Sequence, residues 1–323
     1  MAPDYFPAVQ LLARLAEQEF DIEASKALFI KLTLTEDGSE PAALALADIA
    51  VRQGDMGGAL AQLQAALNKY PESIGVRLRH LRLLIAQGRL VEAESAAETV
   101  YEMAPEMPNV LLLKADVDFR TGDTRAAQAT AAQLQGLMDQ YKGNPAMLAT
   151  VGALQLRLGN LTLARTNLEL AVAGPRPPNL ALVTMARLEL AEGDTRAAQR
   201  RLDQLVGRGV DSEELHLLQG DVLVASKRTE DAVAHFKQLA EQGSRAGTSR
   251  YALALSRQGD HQQAQKILAD WLRQYPDDRG MRVLLANAQI QAGNEDSAKA
   301  EYEAMLPTDN PVVLNNLALI YLA

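Results

Sequence analysis

The chain has no cysteine, which excludes disulfides, thiolate chemistry and cysteine-ligated zinc together. That absence leaves the compartment open, since periplasmic and cytoplasmic proteins can both lack the residue. Aromatic side chains are scarce, 4% with a single tryptophan, although 48% of the residues are hydrophobic. A core of alanine and leucine with few rings points to closely packed helices, because sheets favour β-branched and aromatic residues. No apolar run approaches the roughly 18 residues needed to span a bilayer. The opening "MAPDYFPAVQ" lacks a basic stretch followed by an apolar one, so no signal peptide is read there. Positive charge is also short: 32 basic against 41 acidic residues give a net charge of −9. Such a chain is a poor binder of phosphate backbones, and nucleic acid is not an expected partner.

What the chain has in abundance is one unit, repeated. Gly-Asp or a variant stands at Gly54-Asp55, Gly88-Arg89, Gly122-Asp123, Gly159-Asn160, Gly193-Asp194, Gly259-Asp260 and Gly293-Asn294. Lys227-Arg228 fills the remaining gap, and Glu19-Phe20 precedes the series; successive steps from 19 are 35, 34, 34, 37, 34, 34, 32 and 34. Five residues after each anchor stands an alanine: Ala24, Ala59, Ala93, Ala127, Ala164, Ala198, Ala232, Ala264 and Ala298. Self-similarity at about 34 residues marks a helical repeat array, so residues 1–323 read as one array despite a length that suggests about two domains.

Each mark has a physical reason. Glycine stops a first helix because a left-handed residue there costs it nothing. The Asp or Asn that follows can cap a second helix by accepting from its free N–H groups. The alanine lets the two helices approach closely. Apolar groups four and seven residues beyond it, such as Leu63 and Ala66, Leu168 and Ala171, or Phe236 and Leu239, fall on one face of the second helix. Pro71, Pro105 and Pro276 end that helix. Lys227 replaces a turn glycine at a cost of roughly 1 kcal/mol if the left-handed conformation is kept.

Together these marks resemble the tetratricopeptide repeat (TPR) over essentially the whole chain. Small residues eight positions into the unit (Ala47, Ala115, Gly152, Ala186, Gly220, Ala252, Ala286, Ala318) fit that pattern. The family's first-helix aromatic is mostly missing: Ala50, Leu84, Asp118, Gln155, Glu189 and Gln289 stand at matching sites. The fourth unit is three residues longer, around "QGLMDQYKGNP". The resemblance implies an all-α, right-handed α-solenoid of about eight to nine repeats and roughly seventeen helices. Proline-rich "GPRPPNL", residues 174–180, is an inter-repeat loop where a subdivision into 1–174 and 175–323 would fall. "NPVVLNNLALIYLA" reads as a first helix without its partner. That implies a fragment of a longer protein with a helix prone to self-association.

Catalytic chemistry finds no support. His80, His216, His235 and His261 are read as lying in different repeats without ligand spacing, so no metal or cofactor is expected. "RQGDMGG" follows a helix rather than a strand and is no phosphate loop. Glu213-Glu214 and Asp277-Asp278 sit at helix starts, where the macrodipole favours them. The TPR resemblance implies a groove lined by sites nine and thirteen of each first helix, where Arg52, Arg82, Arg120, Arg157, Arg187 and Arg257 stand against Asp48, Asp116 and Asp221. Arg79 and Arg250 occupy a further groove site, and Asn287 and Asn316 plausible asparagine positions. Arginine suits carboxylates because its planar fork can hold both oxygens. The competing reading is local i,i+4 pairing of Asp48 with Arg52 and Asp116 with Arg120, the rest being solvated.

The expectation is a non-catalytic scaffold that holds a partner segment, an acidic peptide or a polyanionic glycan. "GDTRAAQ", present twice, and residues 275–306 and 310–323 resemble bacterial TPR proteins of envelope and exopolysaccharide export, including the TPR lipoproteins of PEP-CTERM systems. That resemblance implies a periplasmic or envelope location. The alternative is the substrate-recognition region of an enzyme, such as a glycosyltransferase, whose catalytic domain lies outside this chain. A transcription regulator is a third reading, without a separate DNA-binding motif to support it.

Overall fold

The computed structural model describes residues 6–18, 21–34, 39–308 and 310–322. Among these it contains nineteen α-helices and no strand. The chain divides into two compact units, Met1–Ala171 and Val172–Ala323; the division falls at the end of a helix, just before the proline-rich loop.

In the first unit five helical hairpins follow one another: α1 (Phe6–Gln18) with α2 (Ile22–Leu32), α3 (Ser39–Arg52) with α4 (Met56–Lys69), and α5 (Ile74–Ala86) with α6 (Leu90–Met103). The last two are α7 (Pro108–Thr121) with α8 (Thr124–Gly136), and α9 (Pro145–Arg157) with α10 (Leu161–Val172). The second unit pairs α11 (Asn179–Ala191) with α12 (Thr195–Val206), α13 (Glu213–Ala225) with α14 (Thr229–Glu241), α15 (Arg245–Arg257) with α16 (His261–Gln274) and α17 (Arg279–Gln291) with α18 (Glu295–Glu303). It ends on the single helix α19 (Pro311–Leu322). Within each unit a second helix also packs on the first helix that follows, as α4 does on α5 and α16 on α17. Successive first helices touch as well, α3 with α5 and α13 with α15 among them. This is the stacked-hairpin arrangement of an α-solenoid, with a core made of small clusters between neighbours. The helix number exceeds the expected seventeen because nine hairpins, not eight, precede α19.

The punctuation does what its chemistry requires. All seven anchor glycines have positive φ, and Lys227, at φ 60°, is the only non-glycine among the described residues to share that conformation. Asp55, Asp123, Asp194 and Asp260 cap α4, α8, α12 and α16 by accepting from the amide three residues on. Arg89 and Arg228 cannot accept; they pair with Glu92 and Asp231 in the first turn instead. Every spacer alanine from Ala59 to Ala298 is fully buried. α4, α6 and α16 each end two residues before Pro71, Pro105 and Pro276.

The first repeat corrects the sequence register. Glu19-Phe20 lies outside the described residues, but the cap of α2 is Asp21, and the fully buried small residue four beyond it is Ser25, not Ala24. The longer fourth unit folds its extra residues into a 3-10 turn, Met138–Tyr141, that buries Met138.

Glycine at the eighth position is demanded by contact. A Cβ on Gly220 would lie 2.2 Å from the buried Phe236 ring, and one on Gly152 2.7 Å from Leu168. Where the family's aromatic is missing, Asp118, Gln155 and Glu189 are buried and need polar partners. Lys114 reaches Asp118 at 2.7 Å and Glu98 at 3.3 Å, Asn160 donates to Gln155 at 2.8 Å, and Arg201 meets Glu189 at 3.2 Å. Burial works against the Lys114 ammonium, yet its bonds to Asp118 and Glu98 prevail and raise its pKa.

Candidate interaction face

The first helices present their ninth and thirteenth residues along one face of each unit, and most of the charged side chains found there are paired. In the first unit Asp48 of α3 accepts from Arg79 of α5. Asp116 of α7 accepts from Arg120 at 3.1 Å and from Arg157 of α9; the Arg157 guanidinium also lies over the Phe119 ring. In the second unit Arg187 of α11 meets Glu214 of α13 at 2.8 Å. Arg250 of α15 grips Asp221 of α13 with two bonds, 2.8 and 3.0 Å. The arginines therefore form a ladder in which one first helix is tied to the next. Of the expected local pairs, Asp116–Arg120 forms, while Asp48 reaches across to α5. Arg52 is exposed at the end of α3. Arg82 and Arg257 are exposed and make no ion pair with a described residue.

The two asparagines belong to a different network. The Tyr302 hydroxyl donates to Asn287 Oδ1 at 2.7 Å, and Asn316 Nδ2 donates to Tyr302 at 2.7 Å and to Asn287 at 3.2 Å. Tyr302 is fully buried, and that burial raises its pKa. Asn287 and Asn316 thus hold a core tyrosine in place, with only their edges on the face.

Clefts open between successive first helices. One of about 400 Å³ lies in the second unit and is lined by Leu190, Leu217 and Leu218 together with Arg187, Glu214, Asp221 and Arg250. A second of about 270 Å³ lies between Leu253, Leu284 and Asn287. A third of about 210 Å³, in the first unit, is walled by α3, α4 and α5. Such concave, mainly apolar sites with a few polar groups are what ligand pockets look like.

Nothing among the described residues gathers three metal-binding side chains. The histidines are less scattered than expected. His216 and His235 share the α13–α14 hairpin with ring centroids 6.1 Å apart, His216 bonding to Asp211 at 2.7 Å and His235 to the His216 carbonyl at 2.7 Å. His80 is half-buried, and desolvation lowers its pKa. No helix of the described residues is long and apolar enough to cross a membrane.

Comparison with known proteins gives the family but not a close relative. Tetratricopeptide repeat models match residues 50–100, 84–136 and 255–318, and a further one matches 183–246. No curated protein matches. Similar solved structures include a tetratricopeptide repeat protein from Parabacteroides merdae, with 15% identity and a TM-score of 0.51 over 87% of this chain and 98% of that one. The APC/C hetero-tetramer Cut9–Hcn1 has 14% identity and a TM-score of 0.58 over 94% of this chain and 59% of that one. The human IFIT1 dimer with PPP-AAAA has 16% identity and a TM-score of 0.53 over 96% and 78%. At such identities the likeness is one of fold alone. The matched repeats span more than half of the sequence, and the chain belongs to the tetratricopeptide repeat family.

Proposed function

We propose that the chain is a non-catalytic scaffold that holds an extended, carboxylate-bearing protein segment along its first-helix face. The observation that carries this reading is the ladder, in which guanidinium groups on one first helix are bonded to carboxylates on the next. Exposed pairs of this kind are worth about 0–1 kcal/mol each. An incoming carboxylate can therefore replace an internal one at small cost, and each rung contributes the small difference between the two pairings. Apolar cleft walls between the rungs supply the remaining contact.

The test is binding of a glutamate-rich peptide at low salt, read by fluorescence anisotropy. Replacing Arg120, Arg157 and Arg187 with Ala should weaken it, and so should raising ionic strength until the screening length falls to about 8 Å. The control replaces Arg125, Arg196 and Arg200, exposed arginines of the second helices. Arg201 is unsuitable, because it is bonded to buried Glu189. Equal binding by both triple variants would refute the reading. Binding of alginate but not of the peptide would replace the protein segment by a polyanionic glycan. A role in bacterial exopolysaccharide export, in the periplasm or at the envelope, rests on sequence texture. Fractionation of cells expressing the native gene tests it, and a cytoplasmic product would refute it.

A further inference from the structure

The clefts of the first-helix face differ in charge. In the cleft of about 400 Å³, Arg187 and Arg250 are matched by Glu214 and Asp221 within the same lining, so the site is balanced. The cleft beside α17 and α19 has no charged side chain in its lining. The cleft between α3, α4 and α5 is of a third kind. Its walls are apolar (Val51, Leu63 and Leu83, with Ala47 and Ala86), and its polar groups are Arg79 and Arg82 alone. Asp48, which is outside that lining, neutralises Arg79. Arg82, three residues on and therefore on the same side of α5, is exposed and bonds to no described residue. One uncompensated positive charge thus stands at the mouth of an apolar pocket.

We propose that this cleft is the anchor point of the partner segment: it takes a leucine side chain whose neighbouring residue is Asp or Glu, with that carboxylate on Arg82. The proposal rests on the scaffold reading and names the subsite where a segment is fixed in register. Its chemistry follows from the lining. About 210 Å³ of apolar space suits one branched aliphatic side chain, and the alanines at positions 47 and 86 leave the room a larger residue would fill. A guanidinium with all its donors open can grip a carboxylate through two parallel N–H bonds, and a single free charge calls for a single acid beside the leucine.

The test uses the whole chain and a short peptide with Asp-Leu-Asp at its centre, with binding followed by the methyl signals of Val51, Leu63 and Leu83 in NMR spectra. Those signals should shift on titration at low salt. Asp-Ser-Asp should bind about tenfold or more weakly, since the leucine supplies the burial, and Asn-Leu-Asn should lose up to about fivefold. Arg82→Gln should reproduce the second loss. Ala86→Leu, an exposed position at the mouth, should fill the pocket and abolish the methyl shifts, with circular dichroism showing each variant as helical as the parent. If the peptide shifts no methyl of this cleft, or if both variants bind it unchanged, the subsite is refuted. Where the Arg120, Arg157 and Arg187 variant still loses binding of the glutamate-rich peptide, the scaffold reading survives that refutation; where it does not, both fall.

Discussion

Replacing Lys227 by glycine should stabilise the second unit. Lys227 holds φ at 60°, a conformation that costs an L-residue about 1–2 kcal/mol. Glycine removes that cost but returns about 0.4–1 kcal/mol of freedom to the unfolded chain. The lysine side chain is exposed and makes no bond with a described residue, so nothing else is lost. The net gain is about 0.5–1 kcal/mol. In a repeat array each unit is stabilised mainly by its neighbours, so the gain belongs to α13 and α14 rather than to the whole chain. Native-state hydrogen exchange reads it there: protected amides of the two helices should exchange about two- to fivefold more slowly. The mirror change is Gly259→Lys, where an added Cβ meets nothing within 4 Å and φ is 86°. It should speed exchange in α15 and α16 through backbone strain alone. Unchanged or faster exchange in Lys227→Gly would refute the assignment of the cost to φ.

Three further outcomes follow from the packing. Two bonds from Arg245 hold the Asp278 carboxyl down at about 2 against the opposing effect of burial, aided by the Met281 amide and the Trp271 indole. The folded value lies below the unfolded one of about 3.9, so the stabilisation is complete above pH about 4 and is lost as pH falls toward 2; solvent around Arg245 limits it to about 1 kcal/mol, and acid unfolding of Asp278→Asn should lack that part of the slope. Gly220→Ala should cost about 1–3 kcal/mol in chemical denaturation, because its Cβ would enter the Phe236 ring, and a neutral result would mean that α13 and α14 can separate freely. Helix α19 buries Val313 and Leu317 but exposes Leu314, Ala318, Leu319 and Tyr321; sedimentation should show concentration-dependent association that Leu314→Glu with Leu319→Glu abolishes.

The fold was legible because its marks are local and repeat. A glycine, its capping neighbour and a spacer alanine lie within six residues, and each acts on its own turn and hairpin. One reading of such marks supports the next, so the pattern tolerated Lys227 and the inserted turn at 138–141. It misled only where a mark was replaced by a residue of similar size. In the first repeat Ser25 does the alanine's work, and Ala24, one position away, drew the register with it. The capping Asp21 was the better signal, since it stands 34 residues before Asp55 and makes the same bond.

The face was legible only in part, for a reason that lies in sequence distance. Spacing along one helix found the arginines and the one local pair, Asp116–Arg120. The cross-links between helices lie 31 residues apart for Asp48 and Arg79, 41 for Asp116 and Arg157, and 29 for Asp221 and Arg250. These separations look unrelated until each is set against its own repeat. They are the local period less three, plus four and less three, which is one turn up or down the neighbouring first helix. Reading acids and bases across the period, as strands are read across a sheet, would have found the ladder. It also changes what an arginine on this face signifies. A row of arginines in an acidic protein looks like an anion site by count, yet a guanidinium already bonded to the next repeat contributes to ligand binding only the difference between two similar carboxylates. The quantity that matters is therefore the number of cations without an internal partner; among the ten sequence candidates Arg82 and Arg257 meet it, and of these Arg82 lines an apolar cleft, which puts it ahead of the occupied Arg157 and Arg250.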